Sequence, residues 1–460
     1  MDISKHNINA LEKAFNNTFT NNGDTAFVST SNKLIDLIFY SESLNRNVDQ
    51  TNVQIGTSNL EKLVAAFIRD PRHGIGKRDL GRKLLEMSKF PVAQIPTVGR
   101  YDDLIKMYGL QGALIVAEKA KQGDELAKKW LPRESSGVAS KHLAREIAKA
   151  LGMTSKEYRK MIRSNTTETL VNLHVKEDGV VKYTHRDTMN FEHVPSLARL
   201  KWSSVFNTIP AYQDYLKKVE KGEAKIKFST GTVVDVVKNL RESKISKTEA
   251  NLLAKEIEVP AMSILPIIDV SGSMGSWVYG TDDPIHKALA LGIAFAKHST
   301  YMGGGFTANF SSKSELSRIN PASSFVENIE AFEKLNHNRW GGSTNLIAVL
   351  DNLRKLGHTE FPEYLLVLSD MQFNAYSATE IQDFNNYLLR NGINCKLIWW
   401  NLSEDTRTAP ITTDSGNIFL SGYSPKILTA METGFNMEMF LAKLLTDYAL
   451  KVGLQDLLEG

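Results

Sequence analysis

Two patterns of apolar and polar positions divide the chain. From about Val259 onward, short apolar runs alternate with amphipathic stretches. SILPIIDV, GFTANFS, EYLLVLSD, CKLIWWNLS and NIFLSGY read as strands. DPIHKALALGIAFAKHS, opened by Pro284, carries Ile285, Leu289, Ile293 and Ala296 on one face and reads as a helix. SFVENIEAFEKLN, NLIAVLDNLRKLG (closed by Gly357), ATEIQDFNNYLLRNG, PKILTAMETG and MEMFLAKLLTDYALKVG read the same way. This alternation predicts an α/β doubly wound unit, a parallel sheet covered on both faces.

Residues 1–258 carry a different pattern. Amphipathic helical stretches dominate: SNKLIDLIFYSESL, NLEKLVAAFIRD, KRDLGRKLLEMSK, YDDLIKMYG, GALIVAEKAKQGDELAKKW, SKHLAREIAKALG, SKEYRKMIR, PAYQDYLKKVEKG and TVVDVVKNLRES. Stacked antiparallel helix pairs, solenoid-like, are the natural way to bury so many apolar stripes, although no fixed sequence period is present. The expected organisation is therefore an all-α module over residues 1–258 and an α/β module over residues 259–460. The lysine-rich RESKISKTEANLLAKEIEVP leads from one to the other.

Charge reinforces that division. The net charge of +3 hides 41 Lys and Arg against 31 Asp and Glu in residues 1–258, and 14 against 21 in the remainder, so +10 and −7. A basic and an acidic half imply different partners. The longest apolar run, around ALALGIAFA, is far shorter than the roughly 20 residues a membrane helix needs. MDISKHNINA lacks a basic-then-apolar leader pattern, and the single cysteine, Cys395, sits in the apolar run CKLIWW as a buried thiol. A cytoplasmic protein in a reducing compartment, monomeric and without a membrane partner, is expected.

The candidate chemistry lies at strand ends. SILPIIDV carries Asp269 near its end, and Ser271 and Ser273 follow at alternate positions; GGSTN supplies Thr344, and YLLVLSD supplies Asp370. Ligands of open parallel sheets gather beyond the carboxyl ends of strands. Carboxylates and hydroxyls suit a hard divalent cation, Mg²⁺ in particular, and neutral hydroxyl ligands leave the ion positive enough to attract an outside carboxylate or phosphate. This set resembles the metal-ion-dependent adhesion site of von Willebrand factor A domains, which have a Rossmann-like fold. The resemblance implies that Ser271 and Ser273 ligate directly, Thr344 in an open state, and Asp269 and Asp370 often through water. It implies a protein partner that offers a carboxylate. No histidine or other base is placed beside the set, so a non-catalytic role is expected.

RDPRHGIGKRDLGRKLL, PTVGRYDDLIKMYG, WLPRESS, AKALGMTSKEYRKMIR and YLKKVEKGEAKIKF resemble segments of TROVE-type proteins, the Ro autoantigen family and its relatives, which join a helical-repeat module to a von Willebrand A module. KEYRK, GEAKI and LSDMQF are closer to the less-characterised relatives. The resemblance spans about residues 20 to 435. It implies a HEAT-like helical ring or solenoid closed by the A module, and a ribonucleoprotein that binds small non-coding or misfolded RNA. Two basic clusters fit this: Arg69, Arg72, His73, Lys77, Arg78, Arg82 and Lys83, then Lys141, Arg145, Lys149, Lys156, Arg159, Lys160 and Arg163. Tyr101, Trp130, Tyr158 and Trp202 are candidate base-stacking residues or core aromatics.

Other readings stay open. RHGIGKR also fits a helix–helix turn whose arginines pair with nearby carboxylates. SKHLAREIAKALGMTSKEYRKMIR also fits a helix-turn-helix that reads DNA, and the whole chain fits a metal-dependent protein-interaction scaffold without RNA. His174, His185 and His193 follow no zinc spacing, and Gly303–Gly305 is not followed by the residues of a phosphate loop.

Overall fold

The computed structural model describes residues 17–19, 25–27, 32–43, 55–178, 180–228, 231–275, 283–310, 315–336, 347–355, 360–370, 377–402, 411–414, 417–421 and 425–458. Its strands in chain order are β1 (Asn17–Phe19), β2 (Thr25–Phe27), β3 (His174–Glu177), β4 (Val180–Tyr183), β5 (Ile264–Asp269), β6 (Phe306–Phe310), β7 (Glu315–Arg318), β8 (Tyr364–Ser369), β9 (Lys396–Asn401), β10 (Ile411–Asp414) and β11 (Asn417–Ser421). β1–β2 and β3–β4 are separate antiparallel hairpins, and the other seven form one sheet in the order β10-β11-β9-β8-β5-β6-β7.

The five central strands run parallel, as the uninterrupted apolar runs predict, while β7 and β10 pair antiparallel at the two edges. These two edge strands have the sequences ELSR and ITTD, too polar to stand out as strands. β5 is buried throughout although it holds Pro266. Its ladder with β6 begins at Ile267, immediately after that proline, which has no N–H to give.

Strand alternation separates two cores. Ile264, Ile268, Leu366, Leu368, Ile398, Trp400, Ile418 and Leu420 face a large apolar cluster that also contains the helices of residues 33–255. Leu265, Ile267, Leu365, Val367, Leu397 and Trp399 face a smaller cluster with Val349, Leu350, Leu353, Phe384 and Leu388, from helices Ile347–Lys355 and Ser377–Arg390. The helix Pro284–His298 lies on the first face, against β5 and β8. Gly292 permits this: a Cβ there would sit 2.4 Å from Ile268 Cδ1.

Helices indeed dominate the first half, including Asn59–Arg69, Arg78–Met87, Tyr101–Lys121, Val138–Ala150, Ser155–Met161, Pro210–Glu220 and Val233–Arg241. Thr167–Asn172 and Ser196–Phe206 are helices without a strong amphipathic signature, and the β3–β4 hairpin interrupts the pattern. The lysine-rich segment becomes the helix Lys247–Lys255, which packs on Phe325–Asn336 rather than bridging as bare chain.

Both ends of the helical half meet the α/β half. At one end Val233–Arg241 packs on Pro284–His298, with ion pairs from Arg241 to Glu333 and, at 2.6 Å, from Lys247 to Glu330. At the other, Asn59–Arg69 packs on the helix Met437–Val452: Phe67 and Tyr448 meet edge to face at 5.2 Å, and the Tyr448 hydroxyl donates to Asp70 at 3.3 Å. Next to this seam, Arg69 is wholly buried and pairs with buried Asp103 at 2.5 Å. The RHGIG loop folds back on its helix, Ile75 N donating to Phe67 O at 2.9 Å. Gly74 is required there, since a Cβ would come within 1.9 Å of the same carbonyl.

Arg69→Met should destabilise the chain by about 3 kcal/mol in denaturant unfolding, because it takes from buried Asp103 its nearest cation and leaves only Arg82 at 3.7 Å and the Arg100 N–H at 2.7 Å. Tyr448→Ala should cost about 3–5 kcal/mol, and Tyr448→Phe, which removes only the hydroxyl, about 1 kcal/mol.

Candidate functional site

Chain order and sheet order together locate the first site. From β5 the chain moves to β6 and β7 on one side, then returns to β8 on the other and continues outward to β9 and β11. The direction therefore switches between β5 and β8, and the carboxyl ends of these two strands carry Asp269 and Asp370. Ser271 and Ser273 follow in a single 3₁₀ turn, Gly272–Met274.

These four residues converge. Ser271 Oγ and Ser273 Oγ lie 3.1 Å apart, and Ser273 Oγ donates to Asp370 Oδ1 at 3.3 Å. Asp269 is buried beneath them, accepting from Ser271 N at 2.8 Å and from Ser369 Oγ at 2.6 Å. Asp370 N donates to the Met274 sulfur at 3.1 Å, which ties the turn to the tip of β8. Burial raises the Asp269 carboxyl to about 6; hydrogen bonds from Ser369 and Ser271 oppose this, and nearby Asp370 adds to it. Thr344 lies outside the described residues.

The donor set fits a small hard cation. Oxygens in adjacent positions of an octahedron with metal–oxygen distances of about 2.1 Å are about 3.0 Å apart. The two separations along Ser271, Ser273 and Asp370 are close to that value. The set relies on hydroxyls: among the described residues no three His, Cys, Asp or Glu side chains are grouped to hold a metal. Ser369 escaped the sequence reading, although its signal was present as a hydroxyl directly before the second aspartate.

The two basic clusters have different fates. In the first, Arg69 and Arg82 are not surface residues. Arg69 pairs with Asp103, and Arg82 lies 3.7 Å from Asp103 and also pairs with Asp79. Both are internal ties rather than RNA contacts, because one buried carboxylate from a neighbouring helix, Asp103, faces them both. Arg72 is exposed, yet its guanidinium donates to the carbonyls of Pro96, at 3.2 Å, and Thr97. His73 and Arg78 are exposed, and Lys77 and Lys83 half-buried. The helix–helix turn reading accounts for much of this cluster.

In the second cluster all seven residues are exposed. Lys141, Arg145 and Lys149 recur every fourth position on Val138–Ala150, which places them on one face. Lys156, Arg159 and Lys160 lie on Ser155–Met161, a helix fixed by a Thr154–Glu157 capping box, and Arg163 follows. Arg145 and Arg159 both reach Glu134, at 3.6 and 3.7 Å. Tyr158 is buried, its hydroxyl donating to Pro132 O at 2.9 Å, so it is a core residue. Tyr101 donates to Asp124 at 2.5 Å. Trp130 and Trp202 are half-buried, Trp202 packing one side against the main apolar cluster, with Lys129 and Arg100 at 5.3 and 5.5 Å from the Trp130 ring and Lys201 at 5.0 Å from that of Trp202.

Cys395 is half-buried, and burial pushes its thiol up to about 12, which leaves it protonated at neutral pH. Among the described residues no helix is long and apolar enough to cross a membrane.

Residues 263–442 match the family described as "Domain of unknown function (DUF7788)". No curated protein matches the chain. Among solved structures, the chain is similar to the crystal structure of the Deinococcus radiodurans RO (RSR) protein, with 13% identity and a TM-score of 0.35 over 81% of this chain and 87% of that one.

Proposed function

We propose that this chain is a non-catalytic RNA-binding protein whose helical half holds RNA and whose α/β half holds Mg²⁺ or another divalent cation. The observation that carries the reading is the basic face of Val138–Ala150 and Ser155–Met161, six exposed cations on two consecutive short helices with a seventh, Arg163, just after them. Phosphates bind such a face with release of counterions. The resemblance of the helical segments to TROVE-type proteins supports RNA as the polyanion. The seams at both ends of the helical half support a ring closed through the α/β half.

At the sheet tip, Ser271, Ser273 and Asp370 would hold the cation, with Asp269 beneath them. A cation held largely by neutral hydroxyls keeps positive charge for a carboxylate from a protein partner. The bound ion would offset the repulsion between two neighbouring aspartates.

With a labelled small structured RNA, raising salt from 50 to 200 mM should weaken binding about 10³-fold if about six phosphates are contacted. Reversing Lys141, Lys149 and Lys156 to Glu should reduce affinity at least as strongly with an unchanged melting temperature; unchanged affinity would remove this face from consideration.

Cation binding should stabilise the fold by about 2.7 kcal/mol when Mg²⁺ is at 100-fold its Kd, and Ser271→Ala with Ser273→Ala should abolish the effect. The raised Asp269 carboxyl sets the pH dependence. Without metal, its ionisation disfavours the fold, so stability falls as pH rises through about 6. Metal requires the ionised form, so the Mg²⁺-induced rise in melting temperature should be full at pH 7.5 and should shrink as pH drops below about 6.

A further inference from the structure

Two carboxylates in the helical half each sit between two cations from different elements. Glu134, in the turn before Val138–Ala150, has Arg145 Nε at 3.6 Å from Oε1 and, at 3.7 Å from Oε2, Arg159 Nε, whose N–H donates to Ser155 O at 3.1 Å and whose terminal nitrogens stay available to a ligand. Ser155 Oγ donates to Oε1 at 3.0 Å. Glu168, on Thr167–Asn172, has Lys129 Nζ at 2.7 Å from Oε2 and Lys201 Nζ at 3.7 Å from Oε1. Those two lysines lie against the half-buried rings of Trp130 and Trp202. In both clasps each oxygen faces its own cation, the arrangement that the two non-bridging oxygens of a phosphodiester would present.

The Glu134 clasp is loose, and the Glu168 clasp is loose on its Lys201 side while Lys129 holds it at 2.7 Å. Three of the four contacts exceed 3.5 Å, against about 2.7–2.9 Å for a strong charge-assisted bond. Arg145, Arg159 and Lys201 are each more than 60% exposed in the side chain. Exposed pairs of this kind contribute little to stability. Guanidinium groups fit phosphate oxygens at least as well as carboxylates. An incoming phosphate therefore gains both cations while the protein loses little.

We propose that Glu134 and Glu168 occupy the positions of two RNA phosphates, and that RNA binds by displacing each carboxylate from its cation pair. Trp130 and Trp202, beside the second pair, then take the neighbouring bases by stacking. The inference rests on the RNA-binding reading and assigns the contacts within it. The acids serve as placeholders that keep the cation pairs assembled without RNA and make every weaker anion compete for entry.

The test compares neutralisations of equal charge in the full chain, with a fluorescein-labelled 20-nucleotide oligouridylate and a labelled RNA stem-loop as probes. Glu134→Gln keeps the acceptor for Ser155 and should tighten binding about fivefold or more. It should also steepen the plot of log affinity against log salt by about 0.7–0.9, one added phosphate contact. Glu168→Gln should do the same independently, and Trp130→Ala should weaken oligouridylate binding at least fivefold. Glu146→Gln, on Val138–Ala150 and paired among the described residues with His142 at 3.4 Å, is the control, expected to change affinity less than twofold with the slope unchanged. Equal behaviour of Glu134→Gln, Glu168→Gln and Glu146→Gln, or weaker binding by the first two, overturns the placeholder assignment and leaves RNA binding standing. No binding of either probe at 50 mM salt, or tighter binding of duplex DNA of the same length, overturns both.

Discussion

The packing of one helix on both its sides holds this protein together. Pro284–His298 is buried at Ile285, His286 and every position from Ala288 to Ala296. A helix apolar all round cannot rest on a surface; it must lie inside. One side meets Ile268 and Leu368 on the sheet, close enough to demand glycine at position 292. The other meets Val233–Arg241, the penultimate helix of the basic half. The same helix thus finishes the sheet core and anchors the helical half, so a single apolar cluster runs from Leu34 to Leu457. It also sets the floor beneath the switch point, where β5 and β8 bring Asp269 and Asp370 together.

The basic half uses its arginines in two ways. Arg69 and Arg82 converge on Asp103 and brace the fold from within, while Arg145 and Arg159 stand in solvent and share Glu134. The difference is desolvation. A buried guanidinium must be matched by a carboxylate with good geometry, and once matched it cannot leave without stranding its partner. An exposed one is held by a fraction of that energy and can change partners. The buried arginines and the pair that shares Glu134 thus differ in how firmly they are held.

The sequence pattern carried most of the α/β half because buried parallel strands must be apolar at every position: ILPIID, YLLVLS and KLIWWN can hardly be anything else. The edge strands β7 and β10 escaped because an edge needs no such run. In the candidate cation site, Asp269, Ser271 and Ser273 are legible as alternate positions at the end of a strand, and Asp370 as the residue at the tip of another apolar strand. Ser369 stands out less, because it closes an apolar run as a single hydroxyl and only the fold shows that it donates to Asp269. The two buried arginines were misread for a related reason. Composition gives Arg69 and Arg72 the same charge three residues apart, and only the placement of Asp103 on a later helix separates the interior residue from the exposed one.

The contact between Tyr448 and Asp70 joins positions 378 residues apart. A ribosome adding about 5–20 residues per second needs roughly 20–75 s to make the second after the first. Throughout that interval the apolar face around Phe67 has emerged without the helix that will cover it. Nascent chains in this state are natural clients for chaperones. The basic half can therefore assemble its short-range helix pairs early, but the final docking at Asn59–Arg69 must wait until Met437–Val452 has been made.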